Sequence, residues 1–151
     1  SDSETRARIA GVEAYMSKFE YMFGLVLGGC VLRHTDNLSK ALQSPKLNAS
    51  EGQQIAELTC LTLERIRTNE CFDEFWEKGE KVLQLARQHD INEPTLPRKR
   101  KVPARYEVGS EDGHFHDSPK MLFQQHYFEV LDFVVNCVRQ RFNQPAWLCS
   151  V

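Results

Sequence analysis

The sequence predicts an all-α chain: a bundle-like domain of about five or six helices carrying one long irregular basic loop. Three observations predict it. Apolar residues recur near the 3.6-residue helical period, while period-two alternation with β-branched residues is hard to find. Helix-capping patterns stand ahead of most of the periodic stretches. Proline and glycine gather in one segment, 90–117, that has no periodicity. The 151 residues, 41% hydrophobic and 26% charged, suit a single domain spanning 1–151. With 8 Gly and 6 Pro, the composition excludes collagen-like and wholly disordered chains.

Ser1-Asp2-Ser3-Glu4 fits a capping box, so a helix follows from about Ser3 to Lys18 with Ile9, Val12 and Met16 on one stripe. Phe19 to His34 is apolar nearly all round, the pattern of a helix wrapped by its neighbours. Gly24, Gly28 and Gly29 inside it are expected to admit a second helix at close range, at some cost in helix propensity. Thr35-Asp36-Asn37 reads as a stop and a fresh N-cap, with a short helix from about Leu38 to Gln43 ending before Ser44-Pro45.

Asn48 and Ser50 both offer caps for a helix over about Ala49–Arg67, with Glu51 and Gln53 at the matching box positions. Its stripe is Ile55, Leu58, Leu61 and Thr62, widened by Cys60, Leu63 and Ile66. Asn69 is expected to cap a helix from Glu70 to about Gln88. There Phe72, Phe75, Trp76, Gly79, Val82, Leu83 and Ala86 make the cleanest amphipathic pattern in the chain.

The segment 90–117 holds Pro94, Pro97, Pro103, Gly109 and Gly113, so a flexible linker is expected there. Ser118-Pro119 then starts a helix, a capping hydroxyl ahead of proline at the first helical position. It runs to about Phe142, with Phe128, Leu131, Val135, Val138 and Phe142 on one side and Val130, Phe133, Val134 and Cys137 broadening that surface. Gln144-Pro145 stops it.

The linker carries the one charge anomaly. Arg98, Lys99, Arg100, Lys101 and Arg105 lie between Pro97 and Arg105 with no acidic neighbour, five of the 19 basic residues. The rest of the chain then has 14 basic against 21 acidic side chains, a balance of −7. Such a strip suits phosphate contacts, because each cation that neutralises a phosphate releases condensed counterions. A nuclear-import signal and a solvated loop are the other readings of the same residues. Tyr106 adds one stacking surface, too few for a stacking platform.

Other chemistry-bearing residues have plainer readings. His114 and His116, flanked by Asp112 and Asp117, lack the spacing of a structural zinc site and read as surface histidines. His34, His89 and His126 are scattered. Glu70, Asp73, Glu74 and Glu77 read as a solvated helix face beside Lys78 and Lys81 rather than as a two-metal cluster. Phosphate-loop, dinucleotide, nucleophile-elbow and zinc-hydrolase signatures are absent, so no enzyme, no cofactor and no metal is expected.

Five cysteines, Cys30, Cys60, Cys71, Cys137 and Cys149, are odd in number and scattered, which fits a reducing, intracellular setting. The sequons at Asn37 and Asn48 read as capping and turn chemistry. Met22–Leu32, the longest stretch without a charged or strongly polar side chain, is too short to span a bilayer. No initiator Met or basic leader opens the chain, so an internal fragment or processed piece is expected.

Several segments carry a family resemblance. In order they are Arg8-Ile9-Ala10-Gly11-Val12, Phe23-Gly24-Leu25, the run from Leu32 to Gln43, and Arg67-Thr68-Asn69-Glu70 ahead of Phe72-Asp73-Glu74-Phe75-Trp76. Leu96 to Pro103, Tyr127 to Asp132 and Arg141-Phe142-Asn143-Gln144-Pro145 complete the series. Together they resemble the middle region of hAT-type DNA transposases and their zinc finger MYM-type protein 1-like relatives, over essentially the whole chain. The resemblance implies the all-helical insertion that interrupts the RNase H-like catalytic core of those enzymes, and a nuclear setting. No position matches the family's catalytic Asp and Glu residues, and none is carried over. The ending Trp147-Leu148-Cys149-Ser150-Val151 departs from the relatives, consistent with a truncated remnant. The resemblance implies a non-catalytic domain with DNA as a partner through Arg98, Lys99, Arg100, Lys101 and Arg105. The alternative is a protein-interaction or homo-oligomerisation module that uses exposed apolar helix faces.

Overall fold

The computed structural model describes residues 2–87, 91–97 and 117–142. These form five helices and no strand: α1 (Asp2–Met16), α2 (Phe19–Leu42), α3 (Ala49–Arg65), α4 (Asn69–Ala86) and α5 (Pro119–Phe142). Residues 91–97 run without regular secondary structure. The chain is all-α, as its periodicity predicts. None of these helices is long and apolar enough to cross a membrane.

Two joints follow the local chemistry closely. Asn48 accepts from the Glu51 amide at 2.8 Å while the Glu51 carboxylate accepts from the Asn48 amide at 3.2 Å, a reciprocal capping box that starts α3. The Ser118 hydroxyl accepts from the Met121 amide at 3.3 Å, and Pro119 opens α5 without missing a needed donor. For α4 the cap is Thr68, whose hydroxyl accepts from the Cys71 amide at 3.2 Å. Asn69 is instead the first helical residue, and its side chain accepts from Gln124 at 3.1 Å across to α5. The box expected at Ser1-Asp2-Ser3-Glu4 falls partly outside the described residues. Within α1, Asp2 and Glu4 pair with Arg6 and Arg8 one turn on.

The stop expected at Thr35-Asp36-Asn37 does not form, and α2 continues to Leu42. Two of the three polar residues bond within the helix instead. The Thr35 hydroxyl donates back to the Val31 and Leu32 carbonyls, both at 3.3 Å. Asp36 pairs with Lys40 at 2.5 Å. Leu38, three residues past Thr35, is buried, so packing favours carrying the helix through the polar triplet.

The core lies among α2, α3, α4 and α5. At one end it is aromatic: Phe19 and Phe23 from α2, Phe72 and Trp76 from α4, and Phe123 and Tyr127 from α5 are all buried. Phe123 sits between Phe19 and Phe23, 4.7 Å from each ring centroid, with Trp76 at 5.9 Å. Aromatic pairs in these tilted and edge-on arrangements contribute about 0.5–1.5 kcal/mol beyond their area. Further along, the core turns aliphatic with Leu27, Val31, Leu63, Leu131, Val135 and the thiol of Cys60.

Polar contacts then fix α3 and α5 antiparallel. Gln53 donates to the Phe142 carbonyl at 3.0 Å, Arg139 reaches Glu57 at 2.8 Å and Glu64 at 2.5 Å, and Tyr127 donates to the Ile66 carbonyl at 2.8 Å. Arg67 forks onto Asp132 at 2.5 and 2.8 Å while its guanidinium lies 4.8 Å from the Phe128 ring centre.

Three expected faces are corrected by this packing. The Phe19–His34 stretch is not wrapped on all sides: Leu25 and Leu32 are exposed, and only the Phe19–Phe23–Leu27–Val31 row is buried. An added Cβ at Gly24, Gly28 or Gly29 would meet nothing within 4 Å, so no helix approaches closely there among the described residues. On α3 the buried face is Gly52, Ala56, Thr59, Cys60 and Leu63, whereas Leu58 and Leu61 point outward. The expected α5 stripe is rotated, because Phe123 and Tyr127 join Leu131 and Val135 inside and Phe133 is 69% exposed. In each case several adjacent faces are apolar, and hydropathy alone does not rank them. For α4, Phe72 and Trp76 are buried and Phe75 packs against the core as expected. The side chains of Val82, Leu83 and Ala86 lie outside the described residues.

Candidate functional site

An open groove of about 740 Å³ lies between the C-terminal halves of α2 and α5. Its origin is geometric. Helices α2 and α5 each have 24 residues, about 36 Å at 1.5 Å per residue. Among the described residues, the ring and ion-pair contacts of α4 are to Phe19 and Phe23 on α2 and to the Lys120–Tyr127 portion of α5. Past that point α3 covers one flank of the pair and no described helix covers the other. Leu38, Val134 and Val138 line the groove, with Leu32, Leu42, Phe133 and Phe142 forming its apolar walls. Arg33 and Arg141 stand beside it, while Asp36 is engaged by Lys40.

The second open feature is α1. None of its residues is buried, and Ile9, Val12 and Met16 are 53%, 57% and 46% exposed. The apolar stripe read from the sequence therefore faces solvent. Helix α1 is tied to the body at its C-terminal end, where Tyr15 meets Tyr21 edge-on at 5.5 Å. The Ser17 hydroxyl donates to the Glu13 carbonyl at 2.8 Å, and the Asn92 amide donates to the Ser17 carbonyl at 2.9 Å. Arg87 also pairs with Glu93 at 2.8 Å, so this first part of the connection after α4 is tied to the helical body.

The sequence-predicted binding residues Arg98, Lys99, Arg100, Lys101 and Arg105 lie outside the described residues, as do His89, His114, His116, Tyr106 and Cys149. Of the acidic residues on α4, Asp73 pairs with Lys120 at 2.5 Å and thereby ties α4 to α5, while Glu70, Glu74 and Glu77 are exposed. No group of three or more His, Cys, Asp or Glu side chains gathers to hold a metal among the described residues. His126 lies edge-on to Phe123 at 5.8 Å.

Cys30, Cys60, Cys71 and Cys137 are free thiols. Burial pushes the Cys30 and Cys60 thiols up from their ordinary range, which keeps them protonated and poorly nucleophilic. Burial likewise pushes the Tyr127 phenol up to about 12, so it remains a hydrogen-bond donor to Ile66. Asn48 caps α3, as read from its sequon, whereas Asn37 stands inside α2.

No protein-family model and no solved structure matches this chain. The groove and the bare face of α1 were missed from the sequence for a simple reason. Periodicity reports that a helix has an apolar side but not whether another helix reaches it.

Proposed function

We propose that this chain is a non-catalytic helical domain of hAT-transposase-like origin that associates with duplex DNA through Arg98, Lys99, Arg100, Lys101 and Arg105. A nuclear setting goes with that reading. The observation that carries it is the charge distribution: five cations and no acid between Pro97 and Arg105, in a chain otherwise at −7. An acidic body repels a polyanion, so binding has to run through the segment where the cations are concentrated. Two features of the helical body support it. The chain entering the strip is held by Asn92 on the Ser17 carbonyl, and the chain leaving it is fixed at Ser118 by the α5 cap. A cationic segment with both flanks held to one body loses less freedom on binding than a free tail.

The test is the salt dependence of non-specific duplex binding. Replacing Arg98, Lys99, Arg100 and Lys101 together by Ala is expected to weaken binding. The same change should flatten the slope of log affinity against log salt by about 0.9 for each phosphate that the variant no longer neutralises. Circular dichroism on parent and variant checks that the helical content is the same, so that a change in binding is read from the charges. Equal affinity and slope for parent and variant, or a parent that binds no duplex at all, would contradict the proposal.

A further inference from the structure

We propose that two copies of this chain pair by exchanging α1, the Ile9–Val12–Met16 stripe of each copy seating in the α2–α5 groove of the other. The inference stands apart from DNA association and uses none of the basic strip. Its starting point is that the described residues hold both halves of a contact and none of them satisfies either half. Helix α1 buries no residue, and the groove between α2 and α5 is unfilled among the described residues. Contiguous exposed apolar surface of this kind marks an interaction face.

The shapes correspond. Ile9, Val12 and Met16 stand at i, i+3 and i+7, the spacing that puts three apolar side chains on one face of a helix, where a groove can take them. The groove is open, elongated between two long helices, and walled by Leu32, Leu42, Phe133 and Phe142. Gly29 also borders it and adds no side chain to that wall.

The charges correspond as well. Glu13 is next to Val12 on α1, and Arg33 and Arg141 border the groove; none of the three has an ion-pair partner among the described residues. The one acid bordering the groove, Asp36, is already engaged by Lys40 at 2.5 Å. An incoming helix with a carboxylate beside its apolar stripe therefore meets two guanidiniums, which favours this occupant over a basic one. Reciprocal exchange places α1 and the groove of both copies in contact about a two-fold axis, so the assembly closes as a dimer rather than growing into a filament.

The test is sedimentation equilibrium on the 151-residue chain, from micromolar to several hundred micromolar, with two charge-inserting variants. Val12→Glu alters the stripe and Phe133→Glu alters the groove. Their sites are 57% and 69% exposed, so neither change enters the core, and circular dichroism checks that both remain helical. The wild type is expected to dimerise, and each variant alone to associate at least tenfold more weakly. An equimolar mixture of the two is expected to recover part of the association, because the intact α1 of the Phe133→Glu copy meets the intact groove of the Val12→Glu copy. Arg141→Glu is expected to weaken pairing, and combining it with Glu13→Arg to restore it.

A wild type that stays monomeric throughout the range overturns the proposal. So does association unaffected by either variant. Loss with Val12→Glu alone indicates α1 packing on α1, and loss with Phe133→Glu alone indicates groove packing on groove; both contradict exchange. A mixture of folded variants that recovers nothing contradicts it too.

Discussion

Phe123→Ala is expected to remove about 3–5 kcal/mol of folding stability, the usual cost of truncating a large aromatic in a closed core. Phe123 is 1% exposed and meets rings from three helices: Phe19 and Phe23 of α2, Trp76 of α4, and His126 of its own helix. Its removal leaves a cavity at the junction of α2, α4 and α5, which α3 cannot fill because it packs further along α5. Against a typical total of about 5–15 kcal/mol, such a loss takes most of the stability margin. Urea unfolding followed by circular dichroism measures it. Phe133→Ala is the matched control: the same chemical change at a 69% exposed site is expected to stay within about 0.5 kcal/mol. Equal costs at the two positions would mean that the aromatic core is misassigned.

Asn37→Pro is expected to cost about 3 kcal/mol or more, although Asn37 is exposed. The effect is carried by the backbone. Within a continuous α2, proline at 37 removes the amide that donates to the carbonyl four residues earlier, and its ring collides with that carbonyl. The buried Leu38 transmits the distortion into the packing of the helix. Were Thr35-Asp36-Asn37 a break between two helices, a proline there would be tolerated or mildly stabilising. The same urea experiment therefore separates one long helix from two short ones, and a loss below about 1 kcal/mol would favour two.

That triplet illustrates what a sequence can and cannot disclose. Thr, Asp and Asn compete locally with the helix, so by propensity they read as a boundary. The continuation is decided by Leu38, whose burial depends on residues far away in the chain. Elements governed by near neighbours were legible. The Asn48–Glu51 box, the Ser118-Pro119 start, the α1–α2 joint near Lys18 and the all-α class all follow from residues within a few positions of each other.

Faces were less legible. α3 and α5 carry apolar residues on more than one side, and the buried side is chosen by the match between Cys60, Leu63, Leu131 and Val135 together with the forks of Arg139 and Arg67. The glycines of α2 show the same limit. Small residues permit close approach, but no described helix takes up the space beside Gly24, Gly28 and Gly29. The basic strip was legible as charge alone, and the groove not at all, because it arises from α4 covering only one end of α2 and α5.

The core is built from α2, α3, α4 and α5, and α1 stands outside it. Amide hydrogen exchange on the chain at low micromolar concentration tests this directly, because helices held only by their own hydrogen bonds open locally while core helices open with the whole fold. The amides of Asp2–Met16 are expected to exchange orders of magnitude faster than those around Phe23–Val31, Ala56–Leu63 and Phe123–Val135, which should exchange together near the global unfolding free energy. An α1 as strongly protected as α5 under those conditions, or core helices that exchange independently of one another, would contradict it.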